Sequence, residues 1–172
     1  MKNEAVFRDI KEEDISQVLN IYNYYITNDL ANFEELPFTK DQFFKLYDKI
    51  IQTKLPFIVC EISKIIVGFA YLNNFRNKSG YKFSYENSIY IDVNFIGKGL
   101  GSKLLKKLLN QSYKIQKIKT IISVIGGDNT GASIKIHEKN GFKLIGTLKK
   151  VGFKKNQWLD SIYMQKIINE KD

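Results

Sequence analysis

A glycine-rich segment has the residue types and spacing of an anion-binding loop. Gly97-Lys98-Gly99-Leu100-Gly101-Ser102 follows a β-branched, aromatic stretch at residues 88–93 and precedes an apolar-periodic stretch at residues 104–109. Glycines let the main chain approach an anion closely, and the first turn of a helix supplies free amides and the positive end of the helix dipole. The segment therefore predicts a binding site for a pyrophosphate-bearing cofactor.

Two common phosphate-binding loops do not fit this segment. A Walker loop has Lys-Ser or Lys-Thr directly after its last glycine, whereas Gly101 is followed by Ser102 and Lys103. A dinucleotide fingerprint has a third glycine three positions after Gly99, where Ser102 stands. Taken alone, the segment is also compatible with a glycine-rich turn that caps an ordinary helix.

The composition indicates one globular domain that spans residues 1–172. Hydrophobic residues make up 44% of the chain, which suffices for a sizeable core. We expect a cytoplasmic protein without a membrane partner, because no apolar stretch approaches the roughly 20 residues of a membrane span and no signal peptide is evident. The lone cysteine, Cys60, follows Phe57, Ile58 and Val59, and we predict that it lies in the core rather than acting as a nucleophile.

An excess of basic residues, 27 against 18 acidic ones, gives the chain a formal net charge of +9. That charge favours anionic partners, and nucleic acid and CoA both meet this description. The lysines are dispersed, and no zinc-finger spacing, recognition helix or aromatic-basic RNA motif accompanies them. We therefore predict neither a nucleic-acid partner nor a metal site.

Hydrophobic periodicity predicts the elements that would position the loop. Strands are predicted at residues 5–8, 55–61, 66–72, 88–93, 120–125, 142–151 and 158–166, and helices at residues 12–26, after Thr39, after Ser102 and at residues 132–139. Thr39 and Gln42 form a capping box. Ser63 and Lys64 form a hairpin turn, and Asn140-Gly141 is a left-handed helix end. This order predicts an α+β fold in which about four helices flank a mixed, mostly antiparallel sheet of about seven strands.

That order of elements, with Gly99-Leu100-Gly101 at the start of a helix, resembles the GNAT superfamily of acetyl-CoA-dependent N-acetyltransferases. Asn129, Ser133, His137 and Gly141-Phe142 follow in the corresponding order. Further segments resemble the phosphinothricin acetyltransferase branch of that superfamily: Ile21-Tyr22-Asn23, Asn32-Phe33, Glu86 before Ile89-Tyr90-Ile91, His137-Glu138, Gly146-Thr147-Leu148, Val151-Gly152-Phe153-Lys154, Trp158, Asp160 and Met164-Gln165. The resemblance covers almost the whole chain.

The resemblance implies a three-layer fold whose sheet is splayed at its central strands to admit acetyl-CoA. The implied cofactor contacts are Ile89, Ile91 and Val93 for the pantetheine chain, the amides of residues 97–102 for the pyrophosphate, and Asn129 and Ser133. Ile96 departs from the Gln or Arg that is usual at its position, and Lys98 would compensate for the missing side chain. An extra residue around Gly131 leaves the partner of Asn129 open.

An amine acetyltransferase needs a base, because a protonated amine has no lone pair with which to attack a thioester. Glu86 matches the catalytic glutamate of the family, and partial burial at the start of its strand would raise the pKa of its carboxyl. His137, the only histidine, matches a position where many members have a tyrosine that protonates the leaving thiolate. From the residues alone, Glu86 could equally be a solvated strand-end residue and His137 a structural one.

The resemblance also implies an acceptor pocket, formed by Phe33, Arg76, Lys78 and Tyr81. Arg76, Lys78 and Tyr81 would bind the acidic end of a small amino-acid-like amine of the phosphinothricin or methionine sulfoximine type, and Phe33 would wall the same pocket. From the residues alone, Arg76 and Lys78 could also belong to a solvated loop.

The activity expected from the resemblance is direct acetyl transfer in a ternary complex, without an acetyl-enzyme, and the branch implies a homodimer. One alternative is a different acceptor, such as a protein N-terminus, a polyamine or an aminoglycoside. A second alternative is a non-catalytic acetyl-CoA sensor, and a third is a basic module that binds nucleic acid.

Overall fold

A computed structural model of the protein describes residues 4–127 and 130–169. Its strands are β1 (Val6–Asp9), β2 (Phe57–Ile62), β3 (Ile65–Asn74), β4 (Ser84–Ile91), β5 (Thr120–Gly126), β6 (Lys143–Lys154) and β7 (Gln157–Ile167). Its helices are α1 (Ile15–Asn28), α2 (Lys40–Gln52), α3 (Leu100–Ser112) and α4 (Gly131–Lys139). The order of these elements is the one that the sequence predicts.

The seven strands form one sheet in the order β1-β2-β3-β4-β5-β7-β6, in which β4 and β5 are the parallel pair. Residues 84–87 of β4 pair with residues 120–123 of β5, and the pairing stops there. Beyond that point β4 continues against β3 and β5 continues against β7. The two strands therefore separate, as the expected splay requires, and we call the opening between residues 88–91 and 124–126 the fork.

Helices pack on both faces of the sheet and give the protein three layers. On one face, the ring of Tyr22 in α1 lies edge-on to Tyr90 with the ring centroids 5.6 Å apart. On the other face, Leu104, Leu105 and Leu108 of α3 are fully buried. Burying one such leucine stabilises a fold by about 1.5–3 kcal/mol, so these contacts hold the fork's strands firmly in place.

Three local signals in the sequence have the predicted structure. Thr39 caps α2, because its side chain accepts a hydrogen bond from Gln42 N at 3.2 Å and Thr39 N donates one to Gln42 Oε1 at 2.8 Å. The turn between β2 and β3 has φ values of 51° at Ser63 and 67° at Lys64, as a two-residue hairpin with two left-handed positions requires. Gly141 ends α4 with a φ of 84°.

One expectation is corrected. The strand predicted at residues 88–93 ends at Ile91, because the Asp92 side chain accepts a hydrogen bond from Asn94 N at 2.9 Å and starts a 3-10 turn at Val93–Phe95. Val93 is therefore outside the strand. Trp158 is 61% exposed and lies outside the core.

Cys60 is fully buried on β2, as predicted, and burial raises the pKa of its thiol to about 11. A thiol with that pKa is a poor nucleophile at neutral pH. In the described part of the chain, no helix combines the length and the apolar character needed to cross a membrane.

Candidate active site

The glycine loop lies at the N-terminus of α3 and borders open space. Gly97 and Gly99 have φ values of 80° and 72°, in the left-handed region that favours glycine. A Cβ atom added at either position would meet no atom within 4 Å. Lys103 N reaches back to Gly99 O at 3.5 Å, whereas the amides before it begin the helix and have no partner in a preceding turn. The loop can therefore donate main-chain hydrogen bonds to an anion.

Lys98 turns back onto its own loop. Its Nζ donates to Asn94 O at 3.1 Å and lies 4.3 Å from the centre of the Phe95 ring. The neighbouring Ile96 is 58% exposed and offers no polar side chain to a ligand. Lys98 could compensate for Ile96 only by leaving these contacts.

Ile91, at the open end of the fork, packs close to the start of α3. The absence of a side chain at Gly101 allows this close approach. A Cβ atom at Gly101 would lie 3.0 Å from Ile136 Cδ1 and 3.8 Å from Ile91 Cγ1. At the closed end of the fork, Asn87 Oδ1 is buried and has no hydrogen-bond partner among the described residues. An unpaired buried acceptor costs about 1–3 kcal/mol, so this oxygen suits an N–H group of a bound ligand.

The other residues implied to contact the cofactor lie on β4, just beyond it and on α4, except for one outside the described residues. Ile89 and Ile91 are partly buried on β4 at the fork. Ser133 lies on α4, and its hydroxyl is 3.5 Å from His137 Nδ1. Val93 lies beyond the end of β4, and Asn129 falls outside the described residues.

Glu86 lies near the closed end of the fork, on the face of the sheet covered by α1. Its neighbours across β3 and along β4, Asn73, Ser88 and Tyr90, share that face because of strand alternation and register. Burial raises the pKa of the Glu86 carboxyl to about 7, and the charge of nearby Arg76 opposes this shift. A carboxyl with a pKa near neutrality can both take up and release a proton at physiological pH.

His137 is buried, and both of its ring nitrogens are occupied. Nδ1 lies 2.7 Å from Ser133 O, which is an acceptor only, so Nδ1 carries the hydrogen. Nε2 then accepts from Ser123 Oγ at 2.9 Å and from Asn87 Nδ2 at 3.0 Å. Burial lowers the pKa of the imidazole and so favours its neutral form. This geometry joins α4 to both strands of the fork and leaves no N–H group free to protonate a thiolate.

Glu86 and His137 lie on opposite faces of the sheet. His137 contacts Asn87, the residue after Glu86, and successive residues of a strand point to opposite faces. The structure therefore places the two predicted catalytic residues close to the fork without bringing their side chains together.

The loop between β3 and β4 forms a cavity of about 510 Å³ lined by Phe75, Arg76, Asn77, Lys78 and Tyr81. The three predicted acceptor residues on this loop are thus brought together. Phe33 is not part of this lining. Its ring lies against Gly126 and Gly152, since a Cβ atom at either glycine would be 2.5 Å from it.

Sequence reasoning gave no role to three residues near the site, Asn87, Ser123 and Lys154. Ser123 interrupts an otherwise apolar strand, and that polar position was the available signal for the His137 contact. Nothing comparable marks Lys154, whose partners are main-chain atoms far away in sequence. Among the residues that the structure describes, no three His, Cys, Asp or Glu side chains cluster as metal ligands.

The buried His137 should make the protein less stable in acid. Because the folded state lowers the pKa of this imidazole below its ordinary 6.5, the unfolded state binds the proton more readily at lower pH. The free energy of unfolding should therefore fall as the pH drops below about 6.5, by up to about 1.4 kcal/mol per pH unit for one proton.

Urea unfolding of the wild type and of His137→Gln at pH 7.5 and pH 5.5 measures this effect. The variant lacks the titrating group, so the stability difference between the two proteins should be smaller at pH 5.5. An equal difference at both pH values would contradict a neutral, buried His137.

The family model and the relatives that match this chain all describe acetyltransferases. Residues 7–163 match the family model described as the acetyltransferase (GNAT) domain. A phosphinothricin N-acetyltransferase of Alcaligenes faecalis is 32% identical over 165 residues, which cover 96% of this chain and 83% of the relative. An L-methionine sulfoximine/L-methionine sulfone acetyltransferase of Salmonella typhimurium is 28% identical over 91% of each chain.

A solved structure shows that the similarity extends to the three-dimensional fold. The GNAT superfamily phosphinothricin acetyltransferase of Sinorhizobium meliloti, in complex with AcCoA, superposes with a TM-score of 0.91 and 32% identity. The match covers 96% of this chain and 89% of that chain. The similarity therefore extends through the fork, the glycine loop and both flanking layers.

Proposed function

Since the chain belongs to the GNAT acetyltransferase family, we propose that it transfers an acetyl group from acetyl-CoA to the primary amine of a small, amino-acid-like substrate. The observation that carries this proposal is the fork, with the free amides of α3 near its open end and the half-buried carboxyl of Glu86 near its closed end. A thioester cofactor and an amine can approach each other there from two sides.

The residues present fit acetyl-CoA. The amides of Gly97, Gly99 and Gly101 would hold the pyrophosphate, and the unpaired Asn87 Oδ1 would accept a hydrogen bond from an amide of the pantetheine chain. Acetyl-CoA supplies an activated acetyl group as a thioester. Ile89 and Ile91 would cover the apolar part of that chain and exclude water from it.

Glu86 takes the proton that the acceptor amine must lose before it attacks, directly or through one water molecule. The raised pKa of its carboxyl suits this transfer near neutral pH, because a more acidic carboxylate would be a weaker base. His137 has a different task. Its hydrogen bonds to Asn87 and Ser123 hold the two strands at the closed end of the fork.

The loop cavity supports an acceptor with an acidic group. Arg76 and Lys78 carry positive charge and line the cavity together with Tyr81, and a carboxylate or phosphinate is the group that such residues bind. The relatives named for phosphinothricin and for methionine sulfoximine have substrates of that kind. We extend this acceptor class to the present chain.

Release of free thiol from acetyl-CoA tests the proposal, with phosphinothricin, methionine sulfoximine, methionine sulfone, neutral amino acids, spermidine and an aminoglycoside as acceptors. Release with the acidic or sulfoximine amino acids is expected. Release with the polycations alone would contradict the acceptor class. Tight acetyl-CoA binding without release for any amine would instead identify a sensor.

We also propose that the protein is a cytoplasmic homodimer, in which β6 forms the subunit contact. This edge strand and its hairpin partner expose a set of large apolar side chains: Leu144, Ile145, Leu148, Val151, Phe153 and Trp158. An exposed apolar edge of this size is the usual mark of an interface, because it would otherwise aggregate.

The double variant Leu148→Asp/Val151→Asp should be a monomer, because two carboxylates in an apolar interface would remain unpaired. Light scattering after size-exclusion chromatography should give the wild type twice the chain mass of 20.0 kDa and the variant a single chain mass. Val6→Asp on the opposite edge strand, also exposed, is the matched control and should stay dimeric. A monomeric wild type would refute the interface.

A further inference from the structure

Lys154, the last residue of β6, is a buried lysine without an acidic partner. It is 3% exposed, and its Nζ donates to Asn32 O at 2.6 Å and to Asp29 O at 3.0 Å. Among the described residues, no carboxylate oxygen lies within ion-pair distance of this ammonium. Burial of a charge is costly unless hydrogen bonds or an opposite charge compensate it, and here two main-chain oxygens accept from the ammonium. Both acceptor oxygens belong to the loop after α1, so Lys154 ties this loop to β6.

The same loop is tied to the central strand by Asn32. Its side chain is buried, donates to the Tyr90 hydroxyl at 3.2 Å and accepts from Glu34 N at 2.8 Å. Tyr90 lies on the face of β4 that also carries Glu86. Lys154 and Asn32 therefore connect β6, the loop and the strand that carries the proposed base.

Three glycines shape the surface on which this loop lies. Gly126 ends β5 and Gly152 is two residues before Lys154 on β6, and both face the Phe33 ring. Gly127 has a φ of 94°, and a Cβ atom there would lie 3.0 Å from Ala31 N. A side chain at any of these positions would push the loop away. The Phe33 ring is held between β5 and β6 and is still 37% exposed.

From these contacts we propose that Lys154 is a positioning residue for the acceptor site. It fixes residues 29–34 so that Phe33 walls the β5 side of the fork, on the same face as Glu86. Register and alternation support this placement, because Glu86 pairs with Ile122, and Ile122 and Gly126 share a face of β5. The inference rests on the proposed function, since it assigns the second wall of the same acceptor site.

Hydrogen exchange of the loop amides tests the structural half of this inference without any substrate. Ala31 N donates to Asp29 Oδ1 at 2.7 Å and Glu34 N to Asn32 Oδ1, so both amides report on the fixed loop. Lys154→Met keeps the length of the side chain but removes its donors, and both amides should exchange at least tenfold faster. Lys155→Met, which removes an exposed charge next in sequence, should leave them unchanged.

Steady-state kinetics test the functional half. Lys154→Met should raise the KM for the amine about tenfold, with the KM for acetyl-CoA within twofold of the wild type, and Lys154→Arg should recover most of the loss. If Lys154→Met does not fold, Gly152→Ala tests whether Phe33 walls the acceptor site, because its Cβ would displace Phe33. Unchanged exchange and an unchanged amine KM in either variant would overturn the inference. A wild type that releases no thiol would refute the proposed function, while the exchange experiment would still decide the role of Lys154.

Discussion

Replacing Glu86 with Gln is expected to lower turnover by roughly 10²- to 10³-fold and to leave acetyl-CoA affinity unchanged. The amide has nearly the shape of the carboxyl but cannot take a proton, and general base catalysis contributes an acceleration of this order. Since burial raises the pKa of Glu86 to about 7, wild-type turnover should rise with pH through that value and then level off. The variant should lack this rise. Thiol release measured from pH 5.5 to pH 9 gives both results.

The control is Glu138→Gln, which removes an exposed carboxylate from α4. It should keep both the wild-type turnover and the pH profile. Undiminished turnover of the Glu86 variant, with a normal pH profile, would remove Glu86 from the mechanism.

The same substitution should stabilise the fold at alkaline pH. The carboxyl has an ordinary pKa of 4.5 when unfolded and about 7 when folded, so between these values the folded state holds a proton that the unfolded state has lost. Wild-type stability therefore falls as the pH rises through that window, by about 3 kcal/mol at most. Glu86→Gln lacks this loss, and it should be more stable than the wild type at pH 8 and similar to it near pH 4.5.

Replacing Gly99 with Val is expected to weaken acetyl-CoA binding about tenfold, while kcat at saturation changes little. Gly99 has a φ of 72°, and a side chain in the left-handed region costs roughly 1–2 kcal/mol. A free loop would relax to a different conformation, and binding would then have to restore the strained one. A loss of 1.4 kcal/mol corresponds to a tenfold change in the dissociation constant.

Titration calorimetry with CoA measures this change directly. Gly146→Ala is the matched control, because an added Cβ there meets no atom within 4 Å and the residue does not have a left-handed φ. It should bind CoA as the wild type does. Equal affinity of the Gly99 variant would show that the pyrophosphate binds elsewhere.

The sequence was most informative where structure depends on neighbouring residues. The Thr39 cap, the Ser63-Lys64 turn and the Gly141 helix end each follow from the conformational preferences of two or three adjacent residues. The residues alone left Glu86 either partly buried or solvated at a strand end, and its burial in the folded protein is what raises the pKa of its carboxyl.

The remaining details depend on contacts between distant residues. The locked hydrogen bonds of His137 arise from the β4–β5 register, which brings Asn87 opposite Ser123. Phe33 does not line the Arg76 cavity, and its ring instead packs against glycines on β5 and β6 that leave room for it. No local pattern encodes either result. Val93 was placed in the strand because its residue type favours strands, whereas the side chain of Asp92 starts a turn and the strand ends at Ile91, two residues before Val93.

The alternation of side chains along β4 has a consequence for the path of a proton. Glu86 and Asn87 are adjacent in sequence yet project from opposite sides of β4, with the carboxyl on one side and the imidazole of His137 on the other. The backbone of β4 therefore separates the Glu86 carboxyl from the His137 imidazole. Under the proposed mechanism, the proton taken up by Glu86 stays on the side of β4 opposite His137, so substitutions on one side can be made without altering the contacts on the other.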